Sequence, residues 1–222
     1  QFKLRFLYGF NPPLHEALGY GRSLHNALAE VHRRSLSGEQ VADDAIPGLL
    51  DTHLHVRYAY PELEASLRAS ADEALGRYLR EHGPYLDRLE HAEEMVELTL
   101  PDGIVVHGRI DLIKRTDTGE VVVVDFKSVE RAQAEDITRL QLHVYALGYE
   151  QRFGRRADLI EVHNLDAGGS VREVVDDALI GATLTAVGDA GQRLRENRLD
   201  RLVDWCDECS RCDLAGICRS HP

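Results

Sequence analysis

Long apolar runs are missing from this sequence, in which no stretch approaches the roughly 18 consecutive apolar residues that a membrane-spanning helix needs. Proline is scarce, at 7 residues, and there is no low-complexity segment and no internal repeat. With 43% hydrophobic and 29% charged residues the composition is that of a folded, soluble protein, which excludes a disordered chain and a membrane protein. The 222 residues suit one domain or at most two, and we expect one.

An excess of positive charge is missing as well, because 38 acidic residues outnumber 26 basic ones and give a net charge of −12. This sign argues against a protein that binds nucleic acid through bulk electrostatics, although a nuclease pocket is itself acidic because it holds metal ions. The sequence starts at Gln1, with no initiator methionine and no basic-then-apolar signal pattern. We therefore expect a piece of a longer protein.

Cysteine is absent until the end of the chain, where Cys206, Cys209, Cys212 and Cys218 occur together with the spacing C-x2-C-x2-C-x5-C. This spacing is typical of metal ligands and makes a poor disulfide framework, which fits a reducing cytoplasm. Four thiolates this close predict an all-cysteine zinc site or an iron–sulfur cluster, and the spacing alone favours neither. A redox-active thiol pair is less favoured, because four cysteines are present.

Hydrophobic periodicity predicts a helix over about 23–36, with Ser23 as its N-cap, and a second helix through PELEASLRASADEALGRYLREHG, stopped by Gly83. The intervening SGEQVADDAIPG is predicted to be a loop. From Glu93 the period changes to three β runs, EMVELTL, IVVHGRIDLI and VVVVDFKS, separated by turn signals. A helix through ITRLQLHVYALGYEQRFG, two short strands and a helix over about 178–201 follow, so the fold class is α/β with a mixed sheet.

Two acidic residues are predicted to face each other across the second and third β runs. If the TDTG turn is centred near Thr118, Asp111 pairs opposite Asp125 and Arg109 pairs opposite Lys127. Like charges placed opposite each other are destabilising, and a hard cation such as Mg²⁺ or Mn²⁺ removes that conflict. Lys127 could then stabilise developing charge or orient a water, as metal-assisted phosphodiester hydrolysis requires.

The alternative is a solvated sheet face on which these four residues form ordinary cross-strand ion pairs. For any single D-x-K tripeptide that alternative is the better interpretation. The combination with an in-register carboxylate and a strand of four valines favours the metal site. On the next helix Gln141 and Tyr145 stand at i and i+4, so they share one face near the strand end that bears Lys127.

The segments GRIDLI, VVDFKS and QLHVYALGY, in this order, resemble the PD-(D/E)XK nuclease superfamily. Within it the chain is similar to the RecB/AddB-type nuclease domains of bacterial helicase-nucleases and to their CRISPR-associated exonuclease relatives. The similarity extends from about residue 18 to the C-terminus. It implies a restriction-endonuclease-like mixed central sheet flanked by helices, with a helical N-terminal part (about 1–92), a catalytic sheet and helix (about 93–175) and a C-terminal helix with the cysteine cluster (about 178–222).

The resemblance also implies roles for particular residues, among them a histidine ligand in the context GRSLHNAL. The implied set is His25, Asp111, Asp125 and the Phe126 carbonyl as metal ligands, Lys127 as the catalytic lysine, and Gln141 and Tyr145 as residues that position DNA and the active site. Glu97 is a further acidic candidate, although a solvated edge carboxylate explains it equally well.

The implied function is a Mg²⁺- or Mn²⁺-dependent DNA nuclease that hydrolyses phosphodiester bonds in DNA end processing and repair. Its substrates would be single-stranded ends threaded by a helicase domain of the same parent chain or of a partner subunit, in the cytoplasm at the bacterial nucleoid. An exonuclease is favoured over an endonuclease. The competing interpretations are a non-catalytic DNA-binding or scaffold module that retains the fold, and a metallohydrolase acting on small phosphoesters.

The resemblance further implies that the cysteines hold a [4Fe–4S] cluster, with Zn²⁺ as the alternative. In AddB-like nucleases a C-terminal triplet, here Cys209, Cys212 and Cys218, is joined by one cysteine near the N-terminus of the domain. That upstream cysteine is absent from this sequence. It either precedes Gln1 in the parent protein or is replaced by Cys206, and in both cases the cluster would act as a structural staple.

Overall fold

The structure is a computed structural model, and it describes residues 3–10, 16–128, 135–199, 204–210 and 212–219. The chain divides into two compact units. The core unit is Glu16–Thr185, which contains the GRID, DFK and QLHVY motifs. The terminal unit combines Gln1–His15 with Ala186–Pro222 and contains the cysteines. The organisation as one domain stays a prediction.

The described residues contain seven α-helices and five strands, with a short π-helix at Lys3–Leu7 and 3₁₀ helices at Asp43–Ala45 and Gly83–Arg88. The helices are α1 (Tyr20–Leu36), α2 (Ile46–His53), α3 (Pro61–His82), α4 (Glu135–Phe153), α5 (Asp177–Arg195), α6 (Asp207–Ser210) and α7 (Ala215–Arg219). The strands are β1 (Leu89–Thr99), β2 (Val105–Arg115), β3 (Val121–Lys127), β4 (Leu159–Asn164) and β5 (Ser170–Val174). No helix among the described residues combines the length and apolar character needed to cross a membrane.

One mixed sheet in the order β1-β2-β3-β4-β5 forms the centre of the core unit. The β3–β4 pair is parallel and the other pairs are antiparallel, so the chain needs α4 as the crossover between β3 and β4. The valine-rich strand β3 lies in the middle, with residues 121–126 all buried. Val122 and Val124 pack into the cluster formed with α1 and α3, whereas Val121 and Val123 pack on the side of α4. The predicted mixed α/β sheet is confirmed.

The start of α1 differs from the prediction, because the helix begins at Tyr20, three residues before Ser23. Ser23 is not the N-cap. Its buried hydroxyl donates to the Gly19 carbonyl at 2.8 Å and accepts the His55 N–H at 2.9 Å, which ties α1 to the segment after α2. Gly19, with φ 106°, is the residue before the helix, and a Cβ there would collide with the His55 carbonyl oxygen. A tertiary contact therefore sets the start of this helix.

Other boundaries also differ from the prediction. The short helix α2 lies partly in the predicted loop, and β1 begins at Leu89 rather than at Glu93. Helix α5 ends at Arg195, where 201 was predicted; residues 200–203 lie outside the described residues. The left-handed Asn197 and a bond from the Arg198 N–H to the Arg193 carbonyl at 2.8 Å close this helix in a Schellman arrangement.

Three aromatic rings fix the end of β3 from the side of α1 and α3. The ring of Phe126 stacks on His32 with centroids 5.6 Å apart and meets Tyr78 and His163 edge-on at 5.6 Å and 5.8 Å. A hydrogen bond of 2.7 Å between His32 Nε2 and the Tyr78 hydroxyl locks two of these rings together. The backbone of Phe126 is thereby held at a fixed place beside the charged end of the strand.

Candidate active site

The ladder between β2 and β3 ends where the two predicted acidic residues stand. The strands pair as far as Leu112 and Val124, in the register that a turn centred near Thr118 predicts. The next backbone N–H of β3 that faces β2, that of Phe126, donates to Asp111 Oδ2 at 2.8 Å. A carboxylate thus takes the position of a backbone acceptor, and the two strands separate around it. Asp111 and Asp125 flank this opening with only 7% and 3% of their surfaces exposed.

Each of the two carboxylates has a basic neighbour. His25 Nδ1 lies 3.4 Å from Asp111 Oδ2. Burial lowers the pKa of His25, but its hydrogen bond to Asp111 and the charge of that residue outweigh burial, so the net pKa is raised and favours the imidazolium. Burial and the charge of Asp111 raise the pKa of Asp125, although Lys127 partly opposes them. The predicted conflict between two buried carboxylates is therefore present.

Lys127, Gln141 and Tyr145 form a chain of contacts along one side of the opening. Lys127 Nζ lies 2.8 Å from Asp125 Oδ2 and donates to Gln141 Oε1 at 3.4 Å. Gln141 Nε2 donates to the Tyr145 hydroxyl. Burial raises the pKa of Tyr145, so its hydroxyl keeps its proton and can donate onward. The structure therefore brings together the predicted lysine, glutamine and tyrosine, whose roles stay predictions.

Gly108, the glycine of the GRID motif, is a residue whose role the sequence did not reveal. The Tyr145 ring lies directly against its Cα, so that a Cβ at position 108 would stand 2.9 Å from ring atom Cδ1 and closer still to Cε1. Only glycine allows the ring to approach β2 this closely. The signal in the sequence was a glycine inside an otherwise regular strand, which often marks the close approach of another group.

One cavity of about 390 Å³ collects all these groups. Its lining comprises the seven predicted site residues together with Gly21, Arg22, Asn26, Arg109 and Ser128. The sequence analysis placed Arg109 opposite Lys127 without a role in the metal site, and it assigned no role to the other four. Arg22 could have been found from its helical spacing to His25, and Asn26 from its spacing of four residues to Arg22. Arg109 and Ser128 lie within the GRIDLI and VVDFKS segments themselves.

The residues of this cavity fit a hard divalent cation. Asp125 Oδ2 is buried, and the described residues provide it with an ion pair to Lys127 Nζ at 2.8 Å but with no hydrogen bond. Two carboxylates, an imidazole and a nearby backbone carbonyl form the oxygen-rich donor set that Mg²⁺ and Mn²⁺ prefer. Among the described residues, no three histidine, cysteine or acidic side chains lie close enough together, as they are placed, to hold a metal ion. Ligands would therefore have to adjust around an ion.

Glu97 does not line this cavity, and the cysteines belong to the terminal unit. Glu97 is exposed on β1, where it faces His107 Nδ1 at 3.4 Å, as expected for a solvated edge carboxylate. In the terminal unit, the Sγ atoms of Cys206 and Cys209 are 3.5 Å apart. The N–H of Cys209 bonds to the Cys206 carbonyl, and that of Cys212 bonds to the Cys209 carbonyl, so successive turns bring these cysteines close in space.

A family model, a curated protein and a solved structure resemble the chain. The family model of the PD-(D/E)XK nuclease superfamily matches residues 1–219. A CRISPR-associated exonuclease Cas4/endonuclease Cas1 fusion from Myxococcus xanthus is 35% identical over an alignment of 141 residues. The alignment covers 59% of this chain and 24% of that protein, so the chain spans about a quarter of its length. The crystal structure of a candidate exonuclease from Eubacterium rectale, with 14% identity, covers 94% of this chain and 78% of its own with a TM-score of 0.50, a likeness of fold alone. The chain belongs to the PD-(D/E)XK nuclease superfamily.

Proposed function

We propose that this chain is a divalent-metal-dependent deoxyribonuclease that hydrolyses phosphodiester bonds at single-stranded DNA ends, as an exonuclease rather than an endonuclease. One observation carries the proposal. The opening of the β2–β3 ladder holds two buried carboxylates beside Lys127, and one carboxylate oxygen lacks a hydrogen bond among the described residues. An ordinary solvated ion-pair surface would leave such groups exposed to water.

The residues that would hold Mg²⁺ or Mn²⁺ are His25, Asp111, Asp125 and the carbonyl of Phe126. A bound ion would supply Lewis acidity toward the scissile phosphate and a lowered pKa for a coordinated water. His25 and Asp111 are already in contact, and the rings around Phe126 hold its backbone in place. Part of the donor set is therefore held in place before any ion binds, and the remaining ligands would adjust around the ion.

The neighbouring side chains would act on the phosphate directly. The ammonium group of Lys127, beside Asp125, would stabilise the negative charge that develops during phosphodiester hydrolysis, and its partly buried setting would strengthen this effect. Gln141 accepts from Lys127 and donates to Tyr145, so it fixes both side chains at once. Because the Tyr145 oxygen accepts this bond, its own proton is available for a phosphate oxygen.

The substrate and partners follow from the resemblance of the motifs and from the relatives. The Myxococcus protein is described as an exonuclease fused to an endonuclease, which supports an exonuclease mode and an enzyme partner. We propose that a helicase domain, in the same parent chain or in a partner subunit, delivers single strands to the cavity. The proposed location is the cytoplasm, at the nucleoid.

Lys127→Ala tests this function. End-labelled single-stranded DNA should be shortened by the wild-type chain with Mg²⁺ or Mn²⁺ and left intact with a chelator. The variant should lose about 10²–10³ in kcat, because a single charge-stabilising donor is removed. Arg68→Ala is the matched control, since Arg68 pairs with Asp51 on the surface away from the cavity. A wild-type chain that binds DNA without cleaving it would support the scaffold module, and cleavage confined to model phosphodiesters would support the small-phosphoester hydrolase.

For the terminal unit we propose a [4Fe–4S] cluster on Cys209, Cys212 and Cys218, with zinc as the alternative. The fourth ligand is either Cys206 or a cysteine upstream of Gln1. The Cys206–Cys209 separation of 3.5 Å is close to the ~3.8 Å edge of a zinc tetrahedron with 2.3 Å bonds. A cluster binds each thiolate on its own iron, so these two sulfurs would have to separate if both are ligands.

The visible spectrum of the anaerobically purified chain distinguishes these metals. The cluster should give a broad band at the blue end of the visible range, and Cys206→Ala should weaken it if Cys206 is the fourth ligand. Unchanged absorbance in that variant would point to the upstream cysteine. A colourless protein that contains stoichiometric zinc would rule out the cluster.

A further inference from the structure

Two arginines line the active-site cavity without a part in the proposed chemistry. Arg22 lies on α1, three residues before His25, and Arg109 lies on β2, two residues before Asp111. The first spacing is close to one helical turn and the second is one strand repeat of about 7 Å. Each arginine is therefore about one repeat of its helix or strand away from a proposed metal ligand. The two arginines line the cavity from different secondary-structure elements, α1 and β2.

These two arginines have different neighbours from the other basic residues of the cavity. His25 and Lys127 face the buried carboxylates, whereas Arg22 is exposed and makes no side-chain hydrogen bond or ion pair with any residue that the structure describes. Arg109 is 56% exposed and contacts Glu93 through Nε at 2.9 Å. In a chain with a net charge of −12, two exposed guanidinium groups at the mouth of one cavity indicate an anionic ligand.

Glu93 fixes the position of Arg109. Its neighbours pair as Ala92 with Leu112 and Glu94 with Ile110, which brings Glu93 level with Asp111 on the adjacent strand. Its φ of 55° is in the left-handed region, which is unfavourable for a residue with a side chain. The side chain is only 27% exposed and lies against the guanidinium. This backbone conformation turns the carboxylate toward the arginine.

The first turn of α1 adds to the positive potential. Gly21 lines the cavity, the first turn contains no acidic residue, and no side chain caps the helix at Gly19. The positive end of the helix dipole therefore acts on the same space as the arginines. On its own this end would be a weak attraction, but here it coincides with two guanidinium groups.

We propose that Arg22 and Arg109 clamp backbone phosphates of a single nucleic-acid strand beside the scissile bond, with Glu93 as the residue that positions Arg109. Guanidinium groups suit this task because their planar fork binds two phosphate oxygens at once, which lysine cannot do. The inference rests on the proposed nuclease function, which makes the buried carboxylates the site of the scissile phosphate. Because the clamp contacts only phosphates, it should be indifferent to base sequence.

The salt dependence of binding tests the clamp. Fluorescent oligothymidylate is titrated with Mg²⁺ present, in the Lys127→Ala background so that the probe stays intact. Arg22→Ala and Arg109→Ala should each weaken binding about fivefold or more, as expected for a lost charge-assisted contact. Each should also reduce the slope of log K against log salt by about 0.7, the value for one phosphate contact on a single strand. Arg68→Ala should change neither quantity.

Steady-state kinetics with the Lys127-intact chain test the positioning by Glu93. Glu93→Gln should raise KM with kcat within about twofold, while leaving the salt slope unchanged because the charge of Arg109 remains. Arg109→Lys should keep the slope but lose affinity, since the fork is gone. Wild-type slopes and KM values in both arginine-to-alanine variants would overturn the clamp even if the chain cleaves DNA. Conversely, a chain that never cleaves DNA but shows the reduced slopes would refute the proposed function and leave the clamp intact.

Discussion

Asp125→Asn should raise the melting temperature of the metal-free protein and reduce DNA cleavage to background. Asp125 is 3% exposed, its Oδ2 accepts no hydrogen bond from the described residues, and burial together with the charge of Asp111 raises its pKa. Its ionised form is therefore unfavourable in the folded state. Asparagine keeps the shape and removes the charge. Relief of such strain at functional sites commonly stabilises a protein by roughly 0.5–2 kcal/mol.

The effect should reverse when metal is added. A cation that binds only the folded wild-type protein stabilises it by RT ln(1 + [L]/Kd), which is about 2.7 kcal/mol when the concentration is 100 times Kd. The asparagine variant lacks one anionic ligand and should gain far less. Thermal unfolding should be measured with a chelator and then with saturating Mn²⁺. The variant should have the higher melting temperature with the chelator and the wild-type protein the higher one with Mn²⁺. In a chain of this size, each kcal/mol of stability corresponds to about 2–4 °C.

The same experiment distinguishes the metal site from an ordinary ion pair. If Asp125 served only to pair with Lys127, its neutralisation would destabilise the chelated protein, and Mn²⁺ would shift both proteins equally. Lys127, with 21% of its side chain exposed, can instead be hydrated and still reach Gln141 when Asp125 is neutral. Asp51→Asn is the matched control, because that aspartate is 70% exposed, and its change should stay within about 0.5 kcal/mol.

The sequence predicted which residues lie together where strand register or helical spacing determines their positions. The position of the TDTG turn sets the register in which Leu112 pairs with Val124, and the same register predicts that Asp111 lies near Asp125. Helical spacing likewise put Gln141 and Tyr145 on one face, where the structure has them in contact. His25 needed more than periodicity, because only the resemblance of its context distinguished it from ten other histidines.

Features that interrupt the two-residue strand repeat or the helical repeat could not be predicted from the sequence pattern. On β1, Ala92 packs toward α1 and α3, whereas Glu94 two residues later pairs with Arg152 of α4. The left-handed Glu93 between them reverses the faces, so the alternation that identifies strands fails here. The bond from the Phe126 N–H to Asp111 is a side-chain substitute for a ladder bond, and α2, with 8 residues, is too short to show a convincing period.

Gly108→Ala should destabilise the protein and also impair cleavage, although residue 108 touches no substrate. The added Cβ would lie 2.9 Å from Cδ1 of Tyr145 and closer to Cε1, and that ring is only 9% exposed. Overpacking of this kind costs typically 1–3 kcal/mol. Because the Tyr145 hydroxyl is held by Gln141, which also contacts Lys127, a displaced ring should disturb the catalytic lysine as well. A misplacement of about 1 Å can lower kcat by 10²-fold.

A double-mutant cycle with Tyr145→Ala separates this collision from a general intolerance of alanine in β2. Once the ring is removed, Gly108→Ala should cost less than about 0.5 kcal/mol in denaturant unfolding, whereas in the wild-type background it should cost several times more. Gly181→Ala on α5 is the matched control, because a Cβ there meets nothing within 4 Å and should stabilise the helix by up to about 1 kcal/mol. Equal costs of Gly108→Ala with and without the Tyr145 ring would mean that the close approach is not what requires glycine at this position.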